Sequence, residues 1–207
     1  MKIKVCGLKE TNNIVAVSDL GVDYIGLIFY PGSKRCIDTT DKALQQIAKN
    51  SIEVPKVGVF VNAGYKTILD AVYNYGLHYV QLHGAEGPDC CACLSGHVSV
   101  IKAFAIDSAF SFEHLKNYEK HCAFFLFDTV TRQYGGSGTT FDWNLLAKYT
   151  LQKQYFLSGG INLSHLAALK SINDNRMLGI DVNSCFETEP GIKNIHKIKA
   201  LIHELRN

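Results

Sequence analysis

The chain's 207 residues are 47% hydrophobic and 19% charged, a balance that excludes a disordered or fibrous polypeptide and suffices for a sizeable core. A formal net charge of +2 without any Lys/Arg block excludes the footprint of a nucleic-acid binder and leaves single basic residues to meet small anions. Charges interrupt the opening "MKIKVCGLKE", no later run approaches about 18 uncharged apolar residues, and the 7 cysteines are irregularly spaced. Together these predict a cytoplasmic chain with reduced thiols and no membrane partner.

Short β-branched or aromatic runs recur along the chain, and each reads as a strand. "KIKV" comes first and delivers Cys6 beside Gly7; behind it Thr11 or Asn12 caps a helical face of Ile14 and Val17 that Gly21 ends. "YIGLIF" is second and leads into "PGSKR" with Arg35. "VGVFV" is third and precedes a helix with Ile68, Leu69 and Val72 on one face before Gly76. "YVQLH" is fourth and ends on His83, with "CCAC" (Cys90, Cys91, Cys93) on the helix behind it. "VIKAFA" and "FFLFD" follow, the latter ending on Asp128 before the glycine-rich "YGGSGTTFDW". "YFLSGG" ends on Gly159 and Gly160, and "GIDVNS" holds Asp181 and leads to Ser184 and Cys185. A last amphipathic helix repeats Ile195, Ile198, Ile202 and Leu205 behind "EPG".

Eight strands alternating with helices predict an α/β fold with a parallel sheet, closed as a (β/α)8 TIM barrel because closure leaves no exposed edge. A doubly wound open sheet is the alternative. No Pro/Gly/Ser-rich linker divides the chain, so residues 1–207 are expected to form a single domain.

In such a barrel the chemistry sits at the carboxyl ends of the strands, which makes Cys6, His83, Asp128 and Asp181 candidates. Each has a plainer reading. Cys6 can be a small buried hydrophobe, Asp128 a loop cap, Asp181 an aspartate satisfied by backbone, His83 a satisfied polar group, and Arg35 a solvated arginine beside Lys34. Paired glycines let backbone N–H groups approach an anion, and loops after the seventh and eighth strands often hold phosphate. Gly159, Gly160, Ser184 and Cys185 are therefore phosphate candidates, with simple turn formation as the alternative.

Taken in order, "KVCGLK", "YIGLIFYPGSKR", "VGVFVN", "VQLHG", "FDT" with "YGGSGTTFDW", "LSGGI" and "DVNSCFE" with "PGIK" resemble the phosphoribosylanthranilate isomerase family of tryptophan biosynthesis over nearly the whole chain. The resemblance implies an Amadori rearrangement of N-(5-phosphoribosyl)anthranilate to the 1-deoxyribulose phosphate, without metal or organic cofactor. It implies that Asp128 is the acid that opens the furanose ring and Cys6 the base that takes the C2 proton, with pKa values displaced toward each other. It further implies that Arg35 contacts the anthranilate side and Asp181 lies near the sugar hydroxyls, with His83 at the same mouth.

Three positions depart from the family pattern: Thr139 where lysine is frequent, Asn183 where serine is frequent, and Cys185 in place of a glycine. A β-carbon at 185 is expected to crowd a phosphate or change the backbone angle. A zinc site at Cys90, Cys91 and Cys93 with His97 is not expected, because one compact group lacks a second ligand couple. The alternatives to the isomerase are another phosphosugar barrel enzyme and a lapsed barrel acting as a binding partner. The expected partner is a small phosphorylated molecule, and the chain is expected to be a monomer or homodimer.

Overall fold

A computed structural model describes residues 1–130 and 140–206. Eight parallel strands close into a barrel in sequence order, formed by β1 (Lys2–Leu8), β2 (Tyr24–Ile28), β3 (Lys56–Phe60), β4 (Tyr79–Leu82), β5 (Ser99–Ile106), β6 (Phe124–Thr129), β7 (Tyr155–Leu157) and β8 (Met177–Val182). The seam that distinguishes this from an open sheet is β1 against β8, where Lys4 stands opposite Asp181. Around the barrel lie α1 (Thr11–Ser18), α2 (Lys42–Asn50), α3 (Tyr65–Tyr75), α4 (Pro88–Ser95), α5 (Lys116–Glu119), α6 (Leu166–Ser171) and α7 (Ile195–Arg206).

Strands covered on both faces read as nearly unbroken apolar runs, because one face meets the helices and the other fills the barrel. The inner layer is Val57, Ile101, Leu126 and Phe156, closed below by Tyr24, whose ring stands edge-on to Tyr79 and Phe156. The outer layer packs Ile3, Val5 and Ile180 of the sheet against Ile14, Val17, Ile68, Leu94 and Leu169 of the helices. The barrel floor is thus plugged, and open space is left at the carboxyl ends of the strands.

Several helix details differ from the sequence pattern. α1 is capped by Glu10, whose carboxylate accepts from the N–H groups of Asn12 and Asn13 at 3.1 and 2.8 Å, so Thr11 and Asn12 lie inside the helix. In α7 the fully buried pair is Ile198 and Leu201, while Ile202 is half-buried. No described α-helix lies between β6 and β7; Trp143–Lys148 forms 3-10 turns instead, capped by Asp142 accepting from the Asn144 N–H at 3.0 Å. Beyond β8 the chain makes one 3-10 turn, Ser184–Phe186, then an antiparallel hairpin of β9 (Glu187–Glu189) and β10 (Ile192–Lys193). Among the described residues no helix is long and apolar enough to cross a membrane.

Candidate active site

A cavity of about 430 Å³ opens at the carboxyl ends of the strands, within the usual size range for a small-molecule site. Cys6, Arg35, His83, Asp128 and Asp181 all line it, so the strand-end residues singled out by sequence converge on one space.

Cys6 is 4% exposed and packs beside Ile28 and Val59. Its sulfur has room because position 26 is glycine; a β-carbon there would lie 2.7 Å from Sγ. Burial pushes the thiol pKa up, Lys4 and Lys193 pull it down, Asp181 pushes it up, and the net direction is upward. Two ammonium groups therefore supply positive potential, yet they do not outweigh burial. Asp181 is buried too, and its Oδ1 is 2.8 Å from Lys4 Nζ. Its satisfying partner is a lysine side chain rather than backbone.

Asp128 is held at both oxygens. Oδ1 accepts from the Thr129 N–H at 2.8 Å, and Oδ2 lies 3.2 Å from His83 Nε2. His83 Nδ1 is 2.7 Å from Gln81 Nε2, an amide donor, so the hydrogen-bond pattern assigns the Nε2–H tautomer and aims it at Asp128. Gln81 is 1% exposed and its Oε1 is buried with no hydrogen-bond partner among the described residues. It went unnoticed in the sequence because it sits between two apolar residues of β4 and matches no motif.

Arg35, expected at the anthranilate side, is held by a carboxylate of the chain itself. Its Nε reaches Glu187 Oε1 and Oε2 at 2.9 and 3.1 Å, and its Nη2 reaches Oε2 at 2.8 Å. Glu187 also accepts from Lys193 Nζ at 2.6 Å, and Lys193 donates to Asn183 Oδ1 at 2.6 Å. The hairpin after β8 thus locks the loop after β2, a pairing invisible in a sequence where the partners stand 152 positions apart. Burial works against the Glu187 carboxylate, but Arg35, Lys193 and the Gly191 N–H hold it below its ordinary range.

Gly159 and Gly160 adopt φ of +87° and +62°, the left-handed region that favours glycine, and both line the cavity with Ser184. A β-carbon at 159 would also press on Asp128 Oδ1 at 2.8 Å. Cys185 departs from expectation: among the described non-glycine residues positive φ occurs at Asn62, so Cys185 sits in ordinary backbone. Its sulfur turns toward Gly160 O at 3.7 Å, and it does not line the cavity. Thr139 lies outside the described residues. On α4, Cys91 is buried, Cys90 half-buried and Cys93 exposed, and no three metal-binding side chains converge among the described residues.

A thiol, a histidine-linked carboxyl group and two left-handed glycines thus surround one cavity at the mouth of this barrel. The class is that of (β/α)8-barrel enzymes, whose sites lie at the carboxyl ends of the strands. Comparison with known proteins narrows it. Residues 3–204 match the family model for N-(5'phosphoribosyl)anthranilate (PRA) isomerase. The chain is 42% identical to the N-(5'-phosphoribosyl)anthranilate isomerase of Parabacteroides distasonis, covering 99% of this chain and 93% of that one. It superposes on phosphoribosyl anthranilate isomerase from Thermotoga maritima with a TM-score of 0.85 and 33% identity, over 100% and 98% of the two chains. A further crystal structure, of the isomerase in complex with reduced 1-(o-carboxyphenylamino)-1-deoxyribulose 5-phosphate, matches with a TM-score of 0.84 and 30% identity over 100% and 98%. The chain belongs to the N-(5'-phosphoribosyl)anthranilate isomerase family.

Proposed function

We propose that this isomerase converts N-(5-phosphoribosyl)anthranilate to 1-(2-carboxyphenylamino)-1-deoxyribulose 5-phosphate in tryptophan biosynthesis, using Asp128 as acid and Cys6 as base. The observation that carries the assignment of roles is the convergence of these two groups, from β6 and β1, on one cavity. Asp128 gives its proton to the furanose ring oxygen, the C1–O bond breaks, and the nitrogen lone pair forms a protonated imine. That imine is the electron sink for the next step. Cys6 as thiolate takes the C2 proton, giving an enolamine, which becomes the ketone by gaining a proton at C1 and losing the one on its C2 hydroxyl. His83, 3.2 Å from Asp128, orients the carboxyl group, which regains its proton from solvent as Cys6 releases the one it took.

The substrate's phosphate fits the turn of Gly159 and Gly160 beside Ser184, where φ of +87° and +62° leaves no side chain between the backbone and the ligand. Cys185 supports this wall from behind. Arg35, fixed by Glu187, presents its positive charge to the anthranilate side, and Asp181 forms the cavity floor near the sugar. We place the enzyme in the cytoplasm, as one domain that acts as monomer or homodimer. The reading is tested by adding the purified chain, with EDTA, to freshly generated N-(5-phosphoribosyl)anthranilate. Fluorescence decay with a borohydride-trappable ketone is expected; no consumption by folded protein contradicts it.

A further inference from the structure

Lys4 lies two residues before Cys6 on β1 and is fully buried, with 0% exposure. Interior positions on other strands are apolar, namely Val57, Ile101, Leu126 and Phe156, and a buried charge costs desolvation that an aliphatic side chain does not. At position 4 an ammonium stands instead. It donates to Asp181 Oδ1 at 2.8 Å across the β1–β8 seam, from directly opposed positions; Cys6, two residues further along β1, points to the same inward face and lines the cavity together with Asp181.

We propose that Lys4 is the positioning residue that makes Cys6 a base: its ammonium, kept charged and aimed by Asp181, supports the thiolate from below while the cavity leaves the sulfur open to substrate from above. This rests on Cys6 being the base. Lys4 stays protonated throughout; the proton that Cys6 takes is the one leaving C2, and the electron pair of the C–H bond goes to the imine. The other charged groups around Cys6 are Lys193 from β10, paired with Glu187, which also holds Arg35, and, through Asp181, Asp128 and His83. Burial is the largest influence on the thiol and pushes it up, and Lys4 is the largest pull in the other direction. Loss of Lys4 should therefore raise the thiol further.

The test is the pH dependence of Cys6 alkylation by iodoacetamide, read on the peptide containing Cys6 so that the other cysteines do not contribute. Lys4→Gln removes the cation while its amide can still donate to Asp181 across the seam, and Lys4→Arg restores a cation. In Lys4→Gln the alkylation midpoint should move to higher pH, with reactivity at pH 7 and kcat both down about tenfold for each pKa unit of the move. Lys4→Arg should return the midpoint toward that of the native chain. An unmoved midpoint in folded Lys4→Gln overturns the proposal. If that variant does not fold, nitrogen-labelled lysine NMR of the native chain decides: the Lys4 signal should report a titration step that Cys6→Ser removes, and its absence overturns the proposal. Full turnover by Cys6→Ser would instead refute the base assignment, while the alkylation midpoint still judges the Lys4–Cys6 coupling.

Discussion

At position 26 a hydrogen stands where any other residue would carry a β-carbon, 2.7 Å from Cys6 Sγ and 3.0 Å from Cys6 Cα. Gly26→Ala should push the sulfur aside, and a displacement of this order costs up to about 10²-fold in rate when it spoils the line of attack. We expect kcat to fall by about 10- to 100-fold with KM little changed, and overpacking to cost about 1–3 kcal/mol. Steady-state kinetics beside urea melts checks both; an unchanged kcat would mean the sulfur is not held as described. The strand-end residues were legible in the sequence because their positions follow from the strand pattern. Cys6, His83, Asp128 and Asp181 needed little more than β1, β4, β6 and β8 to be recognised. Gly26, Gln81 and Lys4 were not legible, since each matters through a neighbour on another strand or across the barrel. Glu187 is a similar case: its importance depends on Arg35, far away in the chain.

Among the elements, strands are more legible in the sequence than the pieces between them. The inward and outward faces of the barrel strands are both apolar, so "VGVFV" and "FFLFD" could hardly be anything else. α3 was equally plain, with Gly76 in the left-handed conformation at φ +59° just past its end. The later connections carry less periodicity. Between β6 and β7 the described chain has only 3-10 turns, and the hairpin β9–β10 has strands of 3 and 2 residues, too short for an alternating pattern to register. Yet the hairpin brings Glu187 to Arg35 and Lys193 toward Asn183. At α1 the residue preceding the expected caps does the capping, because the longer Glu10 side chain spans to two N–H groups at once.

For the whole molecule, closure of β1 on β8 brings the first and last strands together, so both ends of the chain contribute to one stability. Three carboxylates are held by cations, two of them, Asp23 and Glu187, across distant segments of the chain. Burial works against Asp23, but Lys2, the Ile3 N–H and Arg206 hold it below its ordinary range. Arg176, chiefly, does the same for Asp174, and Arg35 and Lys193 overcome burial at Glu187. A depressed carboxylate binds fewer protons folded than unfolded, so its contribution is present above the unfolded pKa of about 4 and is lost as pH falls through the folded value. Asp181, raised by burial, has the opposite sign, but below about pH 4 it is protonated in both states and drops out of the balance. The urea midpoint should therefore fall steadily from about pH 4 to about pH 2.5; a flat or rising midpoint would contradict these pairings.

The central claim is that one thiol and one carboxyl group at the barrel mouth carry out the rearrangement. It is tested most directly by the fluorescence decay of fresh N-(5-phosphoribosyl)anthranilate under the native chain, Cys6→Ser and Asp128→Asn, at equal concentrations of folded protein. Each variant should retain the native melting behaviour and lose about 10²- to 10⁴-fold in kcat, the span of a lost general acid or base. A folded variant of either kind that turns over at the native rate would contradict the account.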